Sequence, residues 1–279
     1  MHCHPACCFP VWQNGIQRFG KLLPKFFQKT SSFFSLAGIF FSRGRAIMNP
    51  QGGIGMKDRQ TLQVSIHYSM AFVGGFFGAY ALLNHCDIFG SSQTANLITL
   101  VTGLLGHNSH EILIRIGAAL LYGLAIALSV VIPRTLGWNL KFLSIFLNGA
   151  AALTLFYIPA GTDHILALYP IFFATAFQWC AFKGVYGYAC STIFSTNNYK
   201  QTVLGFTEYL CDKNAEALRK GKFFGGTLVF FHLGVIYSYF GYQWMGLHAS
   251  VLVFLPLAVS LCLVETERRG EKERAAEAA

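Results

Sequence analysis

The sequence predicts an all-α integral membrane protein: six transmembrane helices plus two short re-entrant or interfacial helices, arranged as a 3+3 inverted repeat. Three observations carry this prediction. Apolar residues make up 54% of the chain and charged residues 12%, about half the ~25% charged share of a soluble domain. Six runs approach the roughly 20 apolar residues that a spanning helix needs. The basic residues also segregate: with six spans and a cytoplasmic N-terminus, 20 of the 21 Lys and Arg fall in cytoplasmic segments, as the positive-inside bias requires. That segregation accounts for the net charge of +9 without a nucleic-acid partner.

Taken in order, residues 1–60 form a basic leader with no acid before Asp58. It is expected to be disordered, or to precede the true translation start at Met48 or Met56. Its "MHCHPACC" offers His2, Cys3, His4, Cys7 and Cys8, but their spacing matches no standard metal site, and neither a metal nor another cofactor is expected. The membrane domain covers 61–264. Its first half, 64–158, holds the spans Val64–Leu83, Ile112–Ile132 and Leu140–Ile158. The second half, 165–264, holds Ile165–Phe182, Phe223–Phe240 and Met245–Val264. Between spans lie two segments of helical pattern. Leu97–Leu105 is too short to cross, and Tyr199–Leu210 is interrupted by Lys200 and Glu208, charges that would cost several kcal/mol near mid-bilayer. Residues 265–279 form a mixed-charge cytoplasmic tail. Arg115, the one basic residue off the cytoplasmic side, is close enough to the start of its span for its side chain to snorkel outward.

The two halves echo one another. Thr94 and Asn96 align with Thr196 and Asn198 at an offset of 102 residues. A two-residue gap then aligns Arg115 with Arg219 and Gly117 with Gly221. Three spans per half is an odd number, so the second half is inverted and the short segments enter from opposite faces. Such repeats, with broken helices meeting at the midplane, are a common transporter design. Ser91, Ser92 or Thr94, and Ser195 or Thr196, suit helix N-caps. Asn96 and Asn198 add donors and acceptors, and a half-helix N-terminus favours an anion or polar solute. The alternative is that these groups only cap the helices and bond neighbouring spans.

The stretches "GGFFGAYALLNHCDIFGSSQTANLITLV" and "AFQWCAFKGVYGYACSTIFSTNN" resemble the two halves of the YoaK-like family of bacterial membrane proteins, domain of unknown function 1275. The matching residues are Gly75-Phe76-Phe77-Gly78-Ala79, Thr94-Ala95-Asn96, Gln178 and Thr196-Asn197-Asn198. The resemblance covers roughly 64–264 and implies a six-span membrane protein without an established activity. Where the family has Thr-Gly-Asn, this chain has Ala95 and Asn197, and Gly78 replaces an Asp common there. If the motif glycines serve a positive φ, Ala95 would be strained.

The remaining candidates divide between packing and chemistry. Gly74, Gly75 and Gly78 form a flat face suited to close helix packing. Gln178 either bonds across the repeat interface or lines a path. His67 and His232 lie within spans, where an ionisable group is functional or hydrogen-bonded in place. His85-Cys86-Asp87 contains thiol-protease residue types, but sequence neighbours rarely face one another. The cysteines suit apolar packing better than a disulfide framework. No span carries a central Asp or Glu, which argues against a proton pump built on a carboxylate. No nucleophile, metal set or acid–base pair marks an enzyme. The expectation is an inner-membrane transporter or channel for a small polar or anionic solute, with both termini cytoplasmic. Its path would run between the halves, lined by Gln93, Thr94, Asn96, Gln178, Thr196 and Asn198. The alternative is a non-transporting scaffold or assembly partner whose polar motifs are structural.

Overall fold

The computed structural model describes residues 56–85, 93–106, 109–159 and 161–278. The expectations for most of the leader, and for Ser91 and Ser92, lie outside the described residues. Every regular element among these is helical: α1 Met56–Asn84, α2 Gln93–Gly106, α3 Ser109–Thr135, α4 Leu140–Tyr157, α5 His164–Ala167, α6 Tyr169–Ala181, α7 Thr196–Asp212, α8 Ala215–Met245, a 3-10 helix Gly246–Val253, and α9 Phe254–Glu277.

Four stretches are long and apolar enough to cross a membrane: 58–84, 111–135, 140–157 and 215–277. The first two contain the first two expected spans, and the third matches Leu140–Ile158 to within one residue. The last contains two, because its 63 residues would reach roughly 95 Å if straight, and instead it doubles back. Gly246 takes φ +55° at the bend, and the Tyr237 hydroxyl donates to the Leu252 carbonyl at 3.3 Å.

The expected span Ile165–Phe182 is corrected: it is not one long helix. Asp163 caps the four-residue α5 through the Ile165 and Leu166 N–H groups at 2.9 and 3.1 Å. A second helix then starts with Pro170 in its first turn, where a missing N–H costs nothing. The 13 residues of α6 reach about 20 Å, short of the ~30 Å hydrocarbon core. It stops at Ala181 because Gly184, Tyr186 and Gly187 all take positive φ, a conformation that no right-handed helix can continue through.

α1 is the central helix. Some 78% of its apolar window is buried, against 22–39% for the other three stretches. α3 instead leaves Leu113, Leu120, Leu124 and Val130 exposed on its outer face, as a lipid-facing surface would. Around α1 the core is aromatic, with Phe76, Phe77, Phe172 and Phe177 fully enclosed.

The packing directions can be read from residue pairs. α8 lies parallel to α1: Tyr68 meets Gly226, and Gly75 meets Phe231. A Cβ on Gly75 would overlap the Phe231 carbonyl, and one on Gly234 the Phe72 carbonyl, so these two backbones touch. α9 runs antiparallel to α1. Ser69 hydrogen-bonds Ser260, Gln63 donates to Glu267 at 3.2 Å, and Arg59 pairs with Glu271 at 3.1 Å. Similarly, α6 lies parallel to α3, with the Tyr169 hydroxyl on the Ile114 carbonyl at 2.6 Å and Tyr122 beside Cys180 further along. α4 runs antiparallel to α9, linked by Lys141–Glu267 at 2.5 Å near one end and by Gly149 against Phe254 and Leu257 further along, while Ser250 of the 3-10 helix donates to the Ala152 carbonyl. α2 folds back on α3, and α7 on α8.

The glycine face divides in two. Gly74, Gly75 and Gly78 are all buried, and Gly75 serves helix packing as expected. Adjacent helix positions point apart, so Gly74 meets something else: the backbone of Thr192 and Ile193.

Candidate functional site

That second contact marks the most unusual part of the molecule. Residues 182–195 between α6 and α7 are not helical, yet Cys190, Ser191, Thr192 and Ile193 are buried. The segment first turns sharply, with the Cys190 N–H donating to the Lys183 carbonyl and the Tyr188 N–H to that of Val185, both at 3.0 Å. Gly184, at φ +131°, packs against the Tyr188 carbonyl with no room for a side chain. The chain then climbs back to place the Thr192 carbonyl over Gly74. Gly74 and Met70 flank the midpoint of the span 58–84. Irregular backbone therefore sits halfway along the central helix.

Buried backbone polar groups need partners, and side chains supply them here. Ser191 Oγ accepts from the N–H groups of Ile193 and Phe194 at 3.2 Å each. Asn198 Nδ2 donates to the carbonyls of Ser191 and Phe194 at 2.6 and 3.0 Å. Its Oδ1 accepts from the Ser191 N–H and the Cys190 thiol, each at 3.4 Å. The Asn198 amide is thus fully used by the chain itself. Gln178 Nε2 donates to the Met70 carbonyl at 2.9 Å and to Thr192 Oγ1 at 3.0 Å, tying α6, α1 and the irregular segment together. Gln178 Oε1 is buried with no partner, an acceptor left open at the same level.

From this point α7 descends along α8. Gly205 and Gly221 allow their backbones to meet, since a Cβ on Gly205 would lie 2.6 Å from the Gly221 nitrogen. The N-cap expectation for Ser195 is corrected: Ser195 precedes α7 but its side chain makes no capping bond, because its φ and ψ of −102° and −28° are already helical. The first turn of α7 lacks a side-chain cap at mid-span.

The matching site in the first half is built differently. Asn96 is buried in the first turn of α2, and Arg115 Nη1 donates to its Oδ1 at 3.3 Å. The guanidinium also grips Glu111 through Nε and Nη2 at 3.0 and 2.7 Å, so Arg115 is held by an ion pair as well as reaching toward the helix start. Both amide atoms of Gln93 are buried without a partner among the described residues. Thr94 and Thr196 are exposed.

The expected site residues therefore form two groups. Gln178 and Asn198 share one site with Thr192, while Gln93, Thr94 and Asn96 lie on α2. No hydrogen bond among the described residues joins the groups. The strain foreseen at Ala95 does not arise, because Ala95 and Asn197 both lie in helical first turns and neither has a positive φ. His232 is exposed and bonded to the Leu228 carbonyl at 2.8 Å. His67 is buried against Phe223, its Nε2 without a partner. Sequence reasoning missed Thr192 and Ser191, although "CST" opens the second polar stretch, and it missed Glu111 as the partner of Arg115.

No curated protein and no solved structure matches this chain. One family model does, over residues 66–263, described as a protein of unknown function, DUF1275. The match runs from within α1 to within α9 and takes in both polar sites, and by it the chain belongs to the DUF1275 family.

Proposed function

We propose that the protein is an inner-membrane transporter for a small polar or anionic solute, built as a 3+3 inverted repeat with both termini cytoplasmic. The observation that carries this reading is the irregular backbone at the middle of α1, with the open acceptor of Gln178 and the uncapped start of α7 beside it. Non-helical backbone at membrane depth is tolerated where protein buries it or where it lines a cavity, and transporters place their solute sites at such breaks. The packing supports the repeat. Exchanging α1 with α6, α2 with α7, α3 with α8 and α4 with α9 turns each major contact among these eight helices into another: α1 on α8 and α9 becomes α6 on α3 and α4. The basic residues support the orientation.

A scaffold reading has one observation of its own, the complete use of the Asn198 amide by the chain's backbone. Purified protein in liposomes separates the two readings. Uptake across a panel of small polar and anionic solutes, lost in a folded Gln178→Leu variant, supports transport. A folded wild type that binds and moves none of them leaves the scaffold. Thr94→Cys and Thr196→Cys in a cysteine-free background are expected to label from opposite faces, and labelling from one face would refute the inverted repeat.

A further inference from the structure

Away from the midplane, a cavity of about 250 Å³ opens where the ends of α1, α4 and α8 meet α5. His85 and His164 both line it, beside Asn84, against an apolar wall that includes Leu155 and Leu247. His85 is only 5% exposed, and among the described residues neither of its ring nitrogens has a hydrogen-bond partner. A buried imidazole left without partners is unfavourable, so the cavity is one that a ligand would complete.

The donor set narrows the ligand. No Lys or Arg is among the lining residues, so an anion would find no countercharge. The His85 and His164 ring centres are 5.8 Å apart with planes at 69°. Two imidazoles sharing one ion at Zn–N distances of about 2.0–2.1 Å place their ring centres roughly 5–6 Å apart. Asn84 spends its Nδ2 on the Tyr80 carbonyl at 3.0 Å, which leaves its Oδ1 as an oxygen donor. Imidazole nitrogen with neutral oxygen suits zinc, nickel or copper better than magnesium or calcium, which want carboxylates.

We propose that this cavity binds a divalent transition-metal ion through His85 and His164, with Asn84 and water completing the coordination. The inference does not depend on the transport reading, since binding is measured on detergent-solubilised protein without a membrane gradient. Titration of the full-length protein with Zn²⁺ and Ni²⁺ by calorimetry is the test, with Mg²⁺ as control. Relative to wild type, His85→Ala and His164→Ala should each lose one equivalent of transition metal, or weaken it by about tenfold or more, and Mg²⁺ should not bind there. His164 is exposed, so its variant folds even if that of His85 does not. Unchanged stoichiometry and affinity in a folded His164→Ala would overturn the proposal by placing any bound metal elsewhere, the Cys- and His-bearing leader included. No transition-metal binding at micromolar concentrations would overturn it equally.

Discussion

Replacing Asn198 with Ala tests whether one side chain holds the irregular segment together. The substitution removes two short bonds to the Ser191 and Phe194 carbonyls and two 3.4 Å contacts from the Ser191 N–H and Cys190 thiol. Counting only the short pair, and taking about 1–3 kcal/mol for each buried carbonyl left unpaired, the loss is about 3 kcal/mol. Against a total stability of about 5–15 kcal/mol that is a large fraction. At roughly 2–4 °C per kcal/mol for a chain of this size, the melting temperature in detergent should fall by about 6–12 °C. Trp179 reports on the same place, since its ring lies 5.0 Å from that of Phe194, so fluorescence follows the segment in a background where Trp12, Trp138 and Trp244 are replaced by Phe. Asn197→Ala is the control, being exposed one residue away, and should melt with wild type. Coincident melting of all three proteins would refute the assignment of Asn198 as the support of this segment.

Two glycines should respond to alanine with opposite signs. Gly75→Ala drives a methyl into the Phe231 carbonyl and should cost about 1–3 kcal/mol by overpacking, whereas Gly123→Ala meets nothing within 4 Å and should gain up to about 1 kcal/mol of helix propensity; thermal melts of both check this. Glu267→Ala leaves Lys141, 30% exposed in its side chain, without its 2.5 Å partner and strands Gln63; a loss of about 1–3 kcal/mol is expected, below the 3–5 kcal/mol of a fully buried pair, and Lys141→Met/Glu267→Leu should recover most of it. Gln178→Glu keeps the bulk but sets a carboxylate oxygen against the Met70 carbonyl, so it should destabilise more than Gln178→Leu in the same melts, by a further ~1 kcal/mol or more.

How much of this was legible in the sequence depended on the kind of signal. The apolar runs placed α1, α3 and α4, and the last two spans, because long uninterrupted hydrophobicity leaves few alternatives to a helix in lipid. The starts of α2 and α7 followed from the repeated Thr-x-Asn. Ile165–Phe182 misled because hydropathy reads burial and not backbone. The break lies in Pro170 and in the Gly184–Gly187 turn, where an apolar composition hides a change of direction. Within the polar stretches, composition could not distinguish side chains spent on the chain's own backbone, such as Asn198, from those with an open atom, such as Gln178. That difference is a matter of distances. The cavity at His85 was invisible for a similar reason, since His85 and His164 are separated by 79 positions.

The enclosure of α1 also bears on how the protein is made. This helix is synthesised before the other described spans, yet the residue that covers Gly75 is Phe231, more than 150 positions later. At about 5–20 residues per second of translation, α1 waits on the order of 10–30 s in the membrane with His67, Ser65 and Ser69 uncovered. Its window is also the least apolar of the four, with a mean hydropathy of 1.3. Early insertion therefore rests on a weakly lipophilic segment whose true neighbours do not yet exist. Chains arrested before α8 emerges should stay bound to the insertion machinery or be degraded, and release should coincide with the appearance of α8.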